Sequence, residues 1–84
     1  MDDVIKGVIL ENGSILISVI EEIFTEPGQP DCRLLNPYLY KDNDLVKWID
    51  ITDQTEVNMH SKNILTIVDP TEEIIQKYIK LIAE

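Results

Sequence analysis

The feature that most constrains the fold is a hairpin signal near the N-terminus, Asn12-Gly13, set between two apolar segments. An Asn-Gly pair readily adopts the two positive φ angles of a type I′ turn, which joins antiparallel strands. The strand after this turn is apolar on both faces, with Ile17 on one face and Leu16 on the other. A half-exposed sheet would instead alternate apolar with polar residues. The sequence therefore predicts a hairpin covered on both faces, by a helix or by another subunit.

The length of the chain limits how much stability one core can supply. A domain this short buries only about 60% of the surface that its unfolded form exposes. Cys32 is the only cysteine, so no disulfide can form within the chain. We therefore expect a single domain over residues 1–84 that is stabilised by a docked helix or by self-association. The lone cysteine and the lack of a long apolar segment favour a reducing cytoplasm and no membrane span.

The charge of the chain restricts its partners. Sixteen Asp and Glu residues against seven Lys and Arg give a net charge of −9. This charge repels nucleic-acid phosphates at long range and argues against non-specific nucleic-acid binding. Screening confines the repulsion to about 8 Å at physiological ionic strength, so a locally basic loop could still bind a nucleotide.

Three more strands follow the hairpin, each bounded by turn residues. We predict a third strand over Cys32–Tyr40, a fourth over Leu45–Ile51 that bends near Thr52–Gln54 and continues to Met59, and a fifth over Asn63–Val68. Alternation within the third strand predicts one face made of Leu34, Asn36, Tyr38 and Tyr40. Trp48 is the largest core candidate of the fourth strand.

The spacing of apolar residues changes to a helical period after the last strand. A helix is predicted over about residues 70–83, which leaves residues 3–69 for the strands. Asp69 suits the N-cap, Pro70 the first helical position, and Glu72 completes a capping box. The apolar stripe of this helix consists of Ile74, Ile75, Tyr78, Ile79, Leu81 and Ile82.

Two segments, in this order, resemble the two motifs of the Sm family. The first motif contains a D-x-x-M-N element, and the second reads I-R-G-x-N-I. The matching segments here are Cys32-Arg33-Leu34-Leu35-Asn36 and Met59-His60-Ser61-Lys62-Asn63-Ile64. Over about residues 4–69 the chain is similar to Sm-like proteins, and within them to a divergent group of marine phage (cyanophage) origin.

The resemblance implies a mostly β fold, an Sm-like or SH3-like, strongly bent open barrel of five strands, here with a C-terminal α-helix. It also implies that the fourth and fifth strands pair between neighbouring subunits and close a homo-oligomeric ring of about five to seven copies. Single-stranded RNA would bind at the pore of that ring. A phage origin would place the protein in the host cytoplasm.

The resemblance also assigns roles to individual residues. Asn36 would hydrogen-bond a base edge, and Leu34 would stack on the base. His60 replaces the family's pocket arginine, Ser61 replaces its glycine, and Cys32 stands where the family has an aspartate that supports the loop. These assignments describe one nucleotide pocket formed by two loops.

The placement of the cations favours a retained RNA site. Arg33, His60 and Lys62 fall in the two loops that the family brings together, although the chain has only seven Lys and Arg in all. The full set of predicted RNA-binding residues is Arg33, Leu34, Asn36, His60, Ser61 and Lys62. The competing interpretation is that these are ordinary solvated loop residues. In that case the protein is a structural or protein-interaction ring, whose acidic surface binds a protein partner and whose nucleotide pocket is vestigial.

No residue pattern predicts covalent chemistry, a metal or a cofactor. A Cys32–His60 nucleophile–base pair is conceivable, but nothing else in the chain would orient the histidine or bind an oxyanion. One histidine and one cysteine do not suffice for a zinc site made by the protein alone. The segment 42–44 begins like a calcium loop but lacks the glycine and the distal glutamate of an EF-hand, so it is interpreted as a turn. We expect a protein that is not an enzyme.

Overall fold

The computed structural model describes residues 4–83. It contains six strands and one α-helix: β1 (Ile5–Leu10), β2 (Ile15–Glu22), β3 (Cys32–Lys41), β4 (Asp44–Lys47), β5 (Glu56–Met59), β6 (Ile64–Val68) and α1 (Glu72–Ile82). All strand pairs are antiparallel, in the order β4-β3-β2-β1-β6, and β5 pairs with β3 on the same side as β4. The prediction of a mostly β fold with a C-terminal helix is confirmed.

The hairpin β1–β2 forms as predicted, but its turn is of a different type. The Leu10 carbonyl accepts from the Gly13 N–H at 2.9 Å, and the Leu10 N–H donates to the Ser14 carbonyl at 2.9 Å. Only Gly13 of the Asn-Gly pair has a positive φ, 92°. This is a three-residue loop with a type I turn and a bulge glycine. The predicted type I′ turn at this position is wrong, and the side chain of Asn12 instead accepts from the Ser14 N–H at 2.9 Å.

β3 contains a bulge at Asn36-Pro37. Ser18 of β2 lies opposite these two residues instead of one, so the register of the β2–β3 pair shifts there. Asn36 has a φ of 53°, a left-handed conformation that asparagine tolerates better than most residues. Its N–H donates to the Thr55 carbonyl at 2.7 Å.

The bulge reverses the alternation of side chains along β3. Leu34 lies in one core cluster, whereas Tyr38 and Tyr40 pack against the other. The predicted single face of Leu34, Asn36, Tyr38 and Tyr40 is therefore wrong. One extra residue in a strand moves every later side chain to the opposite face.

The predicted fourth strand is interrupted, as expected, but over a longer stretch. β4 and β5 both pair with β3, and residues 48–55 between them leave the sheet. Residues 4–83 therefore form six strands rather than the predicted five. Trp48 lies at the start of the interruption, only partly buried, where it packs against the core.

Two core clusters lie on the two faces of the hairpin. The sheet cluster consists of Val8, Leu10, Leu16 and Leu34, against which side chains from β5 and β6 also pack. Because both edges of the sheet contribute to it, the sheet curves around this cluster. The helix cluster consists of Ile17, Leu45 and Tyr78, with Ile74 and Leu81 of α1 packed beside them. The prediction that both faces are covered is confirmed, and α1 packs on its own sheet.

α1 begins two residues later than predicted. Thr71 is the N-cap, and its hydroxyl oxygen accepts from the Ile74 N–H at 3.4 Å. The predicted N-cap, Asp69, instead pairs with the ammonium group of Lys6 on β1, and Pro70 precedes the helix. Asp69 and Thr71 both suit an N-cap, so the contact of Asp69 with Lys6 decides between them. No helix in residues 4–83 is long and apolar enough to cross a membrane.

Tyr78 connects α1 to the bulge of β3. Its side chain is fully buried, and its hydroxyl lies 3.0 Å from the Leu35 carbonyl oxygen and 2.9 Å from that of Asn36. The hydroxyl of Ser18 also donates to the Leu35 carbonyl, at 2.9 Å. The helix therefore fixes the backbone at the point where the sheet bends.

Candidate functional site

The turn between β5 and β6, residues 60–63, is held in place by Asp31. One carboxylate oxygen of Asp31 accepts from the Ser61 N–H at 2.7 Å, and the other accepts from the Ser61 hydroxyl at 2.7 Å. These two hydrogen bonds hold the pKa of the Asp31 carboxyl below its usual value, and the one from the Ser61 hydroxyl has the larger effect. Within the turn, the Asn63 N–H donates to the His60 carbonyl at 3.1 Å. A contact across 30 residues of sequence thus sets the conformation of the turn.

Three of the six predicted RNA-binding residues lie together on this turn. Ser61 and Lys62 are exposed, and His60 is half-buried. Together with Gly28, Gln29 and Asp31 of the loop between β2 and β3, they line a shallow pocket of about 320 Å³. The turn therefore presents an imidazole, a hydroxyl and an ammonium group around one carboxylate.

The other three predicted residues are not part of that pocket. Arg33 forms an ion pair with Glu21, with 3.1 Å between nitrogen and oxygen. Leu34 is fully buried in the sheet cluster, so its side chain cannot stack on a base in this structure. The stacking role predicted for Leu34 does not fit this position, because Leu34 lies on the core-facing side of β3, ahead of the bulge.

Asn36 lies at the other end of the β3–β5 pair. Cys32 pairs with Met59, next to the turn, and Asn36 follows four residues later at about 3.3 Å per residue, a distance of about 13 Å. Asn36 instead lies beside Thr55. Within one subunit, the structure does not bring Asn36 together with the 60–63 turn.

The loop-supporting aspartate is one residue away from its expected place. The resemblance implies an aspartate at the position of Cys32, whereas here Asp31 accepts the two hydrogen bonds from Ser61. Cys32 is buried, and burial, together with the nearby carboxylates of Asp31 and Glu22, raises the pKa of its thiol. A thiol kept protonated is a poor nucleophile, so the structure does not support Cys32 and His60 as a nucleophile–base pair. No group of three or more His, Cys, Asp or Glu side chains in residues 4–83 could hold a metal ion.

β6 is an edge strand with exposed apolar residues. Its inner side pairs with β1, and no other described strand pairs with it. The exposed fraction is 68% for Leu65, 45% for Ile67 and 44% for Val68. No charged residue interrupts the segment between Lys62 and Asp69.

A groove borders this strand and is here called the edge groove. It runs between β6 and the adjoining ends of β2 and β3, with a volume of about 490 Å³. Its apolar lining consists of Ile20, Cys32, Ile64, Leu65 and Ile67. Glu21 and Glu22 lie at its rim. Periodicity alone could not reveal this groove, because it forms between strands that are distant in sequence.

Comparison with known proteins places the chain in a family without assigning an activity. No curated protein matches the chain. Residues 3–83 match the model of a family of unknown function, DUF6561. The match covers nearly all of the 84 residues. The chain belongs to this family, DUF6561.

Proposed function

We propose that the protein is an Sm-like subunit that assembles into a ring of about five to seven identical copies and acts as a structural or protein-interaction module. The copies join through the two open edges of the sheet, formed by β6 on one side and by β4 and β5 on the other. The observation that carries the proposal is the exposed apolar edge of β6.

An uncovered apolar edge strand tends to pair with another chain, and stable monomers usually block such an edge with charges, proline or a covering element. β6 has neither a charge nor a proline between Lys62 and Asp69, and no strand of residues 4–83 pairs with its outer edge. The opposite edge also exposes an apolar side chain, Val46 of β4, at 47%. Because the two edges differ, their contact is heterologous, and repeating it closes a ring when the rotation between copies allows closure.

The sheet itself supports an Sm-like barrel. A bulge bends β3, the predicted fourth strand breaks into β4 and β5 at the bend, and side chains from both edges pack on one cluster. The strands at the two edges are those through which the resemblance implies pairing between subunits.

The test is the assembly state of the wild-type protein and of two lysine variants. Ile67→Lys places a charge on β6, and we expect it to abolish assembly in native mass spectrometry and sedimentation velocity. Ile79→Lys on α1 is the matched control, because Ile79 is exposed to a similar extent, 42% against 45%. A wild-type protein that stays monomeric at every concentration would refute the ring.

Single-stranded RNA binding is a second candidate function, favoured by the exposed cation on the 60–63 turn. Lys62 is exposed there beside His60, whereas Arg33 and Lys6 are already paired with carboxylates. A ring would repeat this turn once per subunit, so several cations would lie near one another despite the net charge of −9 per chain.

Native mass spectrometry with oligo-U and oligo-A at low salt tests this candidate, because phosphate contacts are strongest there. We expect Lys62→Ala and His60→Ala to reduce RNA uptake while the ring stays intact. Lys80→Ala, at an exposed position of α1, is the control and should bind as the wild type does. A ring that takes up no RNA at low salt is an interaction module only.

A further inference from the structure

Phe24, in the loop between β2 and β3, is completely exposed, at 102% of its reference area. The backbone that presents it is ordered by hydrogen bonds. The Ile23 N–H donates to the Asp31 carbonyl at 3.0 Å, and the Gln29 N–H donates to the Glu26 carbonyl at 3.0 Å. An aromatic side chain on an ordered loop is a common anchor of protein interfaces, because it buries a large area at a small cost in conformational entropy.

The edge groove has the size and lining to receive such a side chain. Its volume of about 490 Å³ lies within the range of about 300–1,000 Å³ typical of ligand pockets, so one aromatic ring fits with room to spare. Ile20 and Cys32 line one wall, and Ile64, Leu65 and Ile67 the other. Phe24 does not fill the groove of its own chain, although Glu22 at the groove rim precedes it by only two residues.

We propose that Phe24 of one copy inserts into the edge groove of the next copy and anchors the contact between subunits. This inference rests on the ring proposed above and names the side chain that seats one copy on the other. The occupant of the groove is therefore a second copy of this chain.

The strand registers place Phe24 at the same end of the sheet as Met59, the last residue of β5. Glu22 pairs with Cys32, and Cys32 pairs with Met59, so the end of β2 that leads to Phe24 is level with the end of β5. Every strand pair in this sheet is antiparallel. Antiparallel pairing of β5 with β6 of a neighbour puts the end of β5, at Met59, next to the start of that β6, where Ile64 lines the groove.

The charges at this end of the contact are of both signs. The loop that carries Phe24 also carries Glu26, which is exposed. The turn that leads into the groove carries Lys62 and His60. When the loop of one copy approaches the groove of the next, its carboxylate is attracted by these cations and repelled by Glu21 and Glu22 at the groove rim, so the apolar side chain rather than charge carries the proposed contact.

The first measurement compares two alanine variants by sedimentation velocity over a range of concentrations. We expect Phe24→Ala to weaken assembly by about 10- to 100-fold, the effect of truncating an interface anchor. Ile79→Ala is the control, since Ile79 is 42% exposed on α1, outside both edges through which the copies would join, and its effect should stay within about twofold. Equal effects of the two variants would overturn the proposal.

The second measurement is disulfide crosslinking between two different chains. Both carry Cys32→Ala, which removes the only native cysteine; one also carries Phe24→Cys and the other Leu65→Cys. After mixing and mild oxidation we expect a disulfide-linked heterodimer, and none when Ile79→Cys on α1 replaces Phe24→Cys. A disulfide that forms only within one chain carrying both changes would place Phe24 in its own groove and overturn the proposal.

The two proposals fail in different ways. A wild-type protein that remains a monomer removes the ring and, with it, the role of Phe24. A wild-type ring that Phe24→Ala leaves unchanged, and that gives no disulfide between mixed chains, keeps the ring and removes only the anchor.

Discussion

α1 and β6 are neighbours in the sequence and are both rich in apolar residues, yet the fold treats them differently. α1 directs Tyr78 into the helix cluster, where this side chain is fully buried. β6, one short connection earlier, leaves Leu65 exposed at 68% and Ile67 at 45%. One element completes the core of the subunit, and the other retains apolar surface that no other strand of residues 4–83 pairs with or covers.

The difference shows how the chain uses its limited length. The hairpin β1–β2 is apolar on both faces, and the chain supplies one helix and one bent sheet to cover them. After that, no element among the described residues covers the outer edge of β6. Breaking the covered side should therefore unfold the subunit, whereas changing the open side should alter assembly alone.

Tyr78→Ala should have the largest effect on folding. Truncating a fully buried aromatic side chain costs about 3–5 kcal/mol, and the carbonyl groups of Leu35 and Asn36 at the β3 bulge also lose the hydroxyl beside them. The measurement is urea unfolding followed by the fluorescence of Trp48, the only tryptophan, at a protein concentration low enough to avoid assembly.

Tyr78→Phe separates packing from hydrogen bonding in the same experiment. It keeps the ring and removes only the hydroxyl, so the expected loss is about 1 kcal/mol. The Leu35 carbonyl still accepts from Ser18 in this variant. If Tyr78→Ala cost no more than Tyr78→Phe, the helix would not be a main cover of the hairpin.

Thr71→Ala should weaken the covered side by less. The Thr71 hydroxyl oxygen caps α1 by accepting from the Ile74 N–H, and loss of such a cap typically costs about 1 kcal/mol. Asp69→Ala is the informative partner, because the sequence favours Asp69 as the N-cap and the structure does not. A larger loss of helix circular dichroism in Asp69→Ala than in Thr71→Ala would contradict the observed helix start.

The elements of this fold could be predicted from sequence where short-range patterns determine them. Turn residues and alternation gave the hairpin and the third strand, and the helical period after residue 69 gave α1. The bulge at Asn36 could not be predicted in this way, since one inserted residue leaves the apolar composition of β3 unchanged. That residue puts Tyr38 and Tyr40 on the face opposite to Leu34.

The candidate site was predictable only in part, for a related reason. The sequence singled out the 60–63 turn by its polar residues, and the structure does group His60, Ser61 and Lys62. Asp31, which holds the turn, was missed because its partner lies 30 residues away. The edge groove depends on the curvature of the whole sheet, which no local pattern encodes.

Asp31→Asn tests how firmly the start of β6 is held. Because the folded-state pKa of Asp31 is lowered, its carboxylate stabilises the fold above the pKa of an unfolded aspartate, about 3.9, and this contribution is lost as pH falls through the folded-state pKa. We expect the wild type to exceed Asp31→Asn in unfolding free energy at pH 7, with the gap closing below about pH 4. Asp53→Asn, at an exposed position between β4 and β5, is the control, and a gap independent of pH would contradict the role of the carboxylate.

Leu65→Ala should have the smallest effect on folding and the most informative one for the comparison. At 68% exposure the side chain contributes little to the isolated subunit, so its unfolding free energy should change by less than about 0.5 kcal/mol. The same substitution at Leu45, which is 5% exposed in the helix cluster, should cost about 2–5 kcal/mol. If the proposed ring forms, sedimentation velocity should show weaker assembly for Leu65→Ala although its subunit is still folded. A Leu65→Ala subunit as destabilised as Leu45→Ala would mean that β6 completes the core of its own chain, and the contrast between α1 and β6 would then disappear.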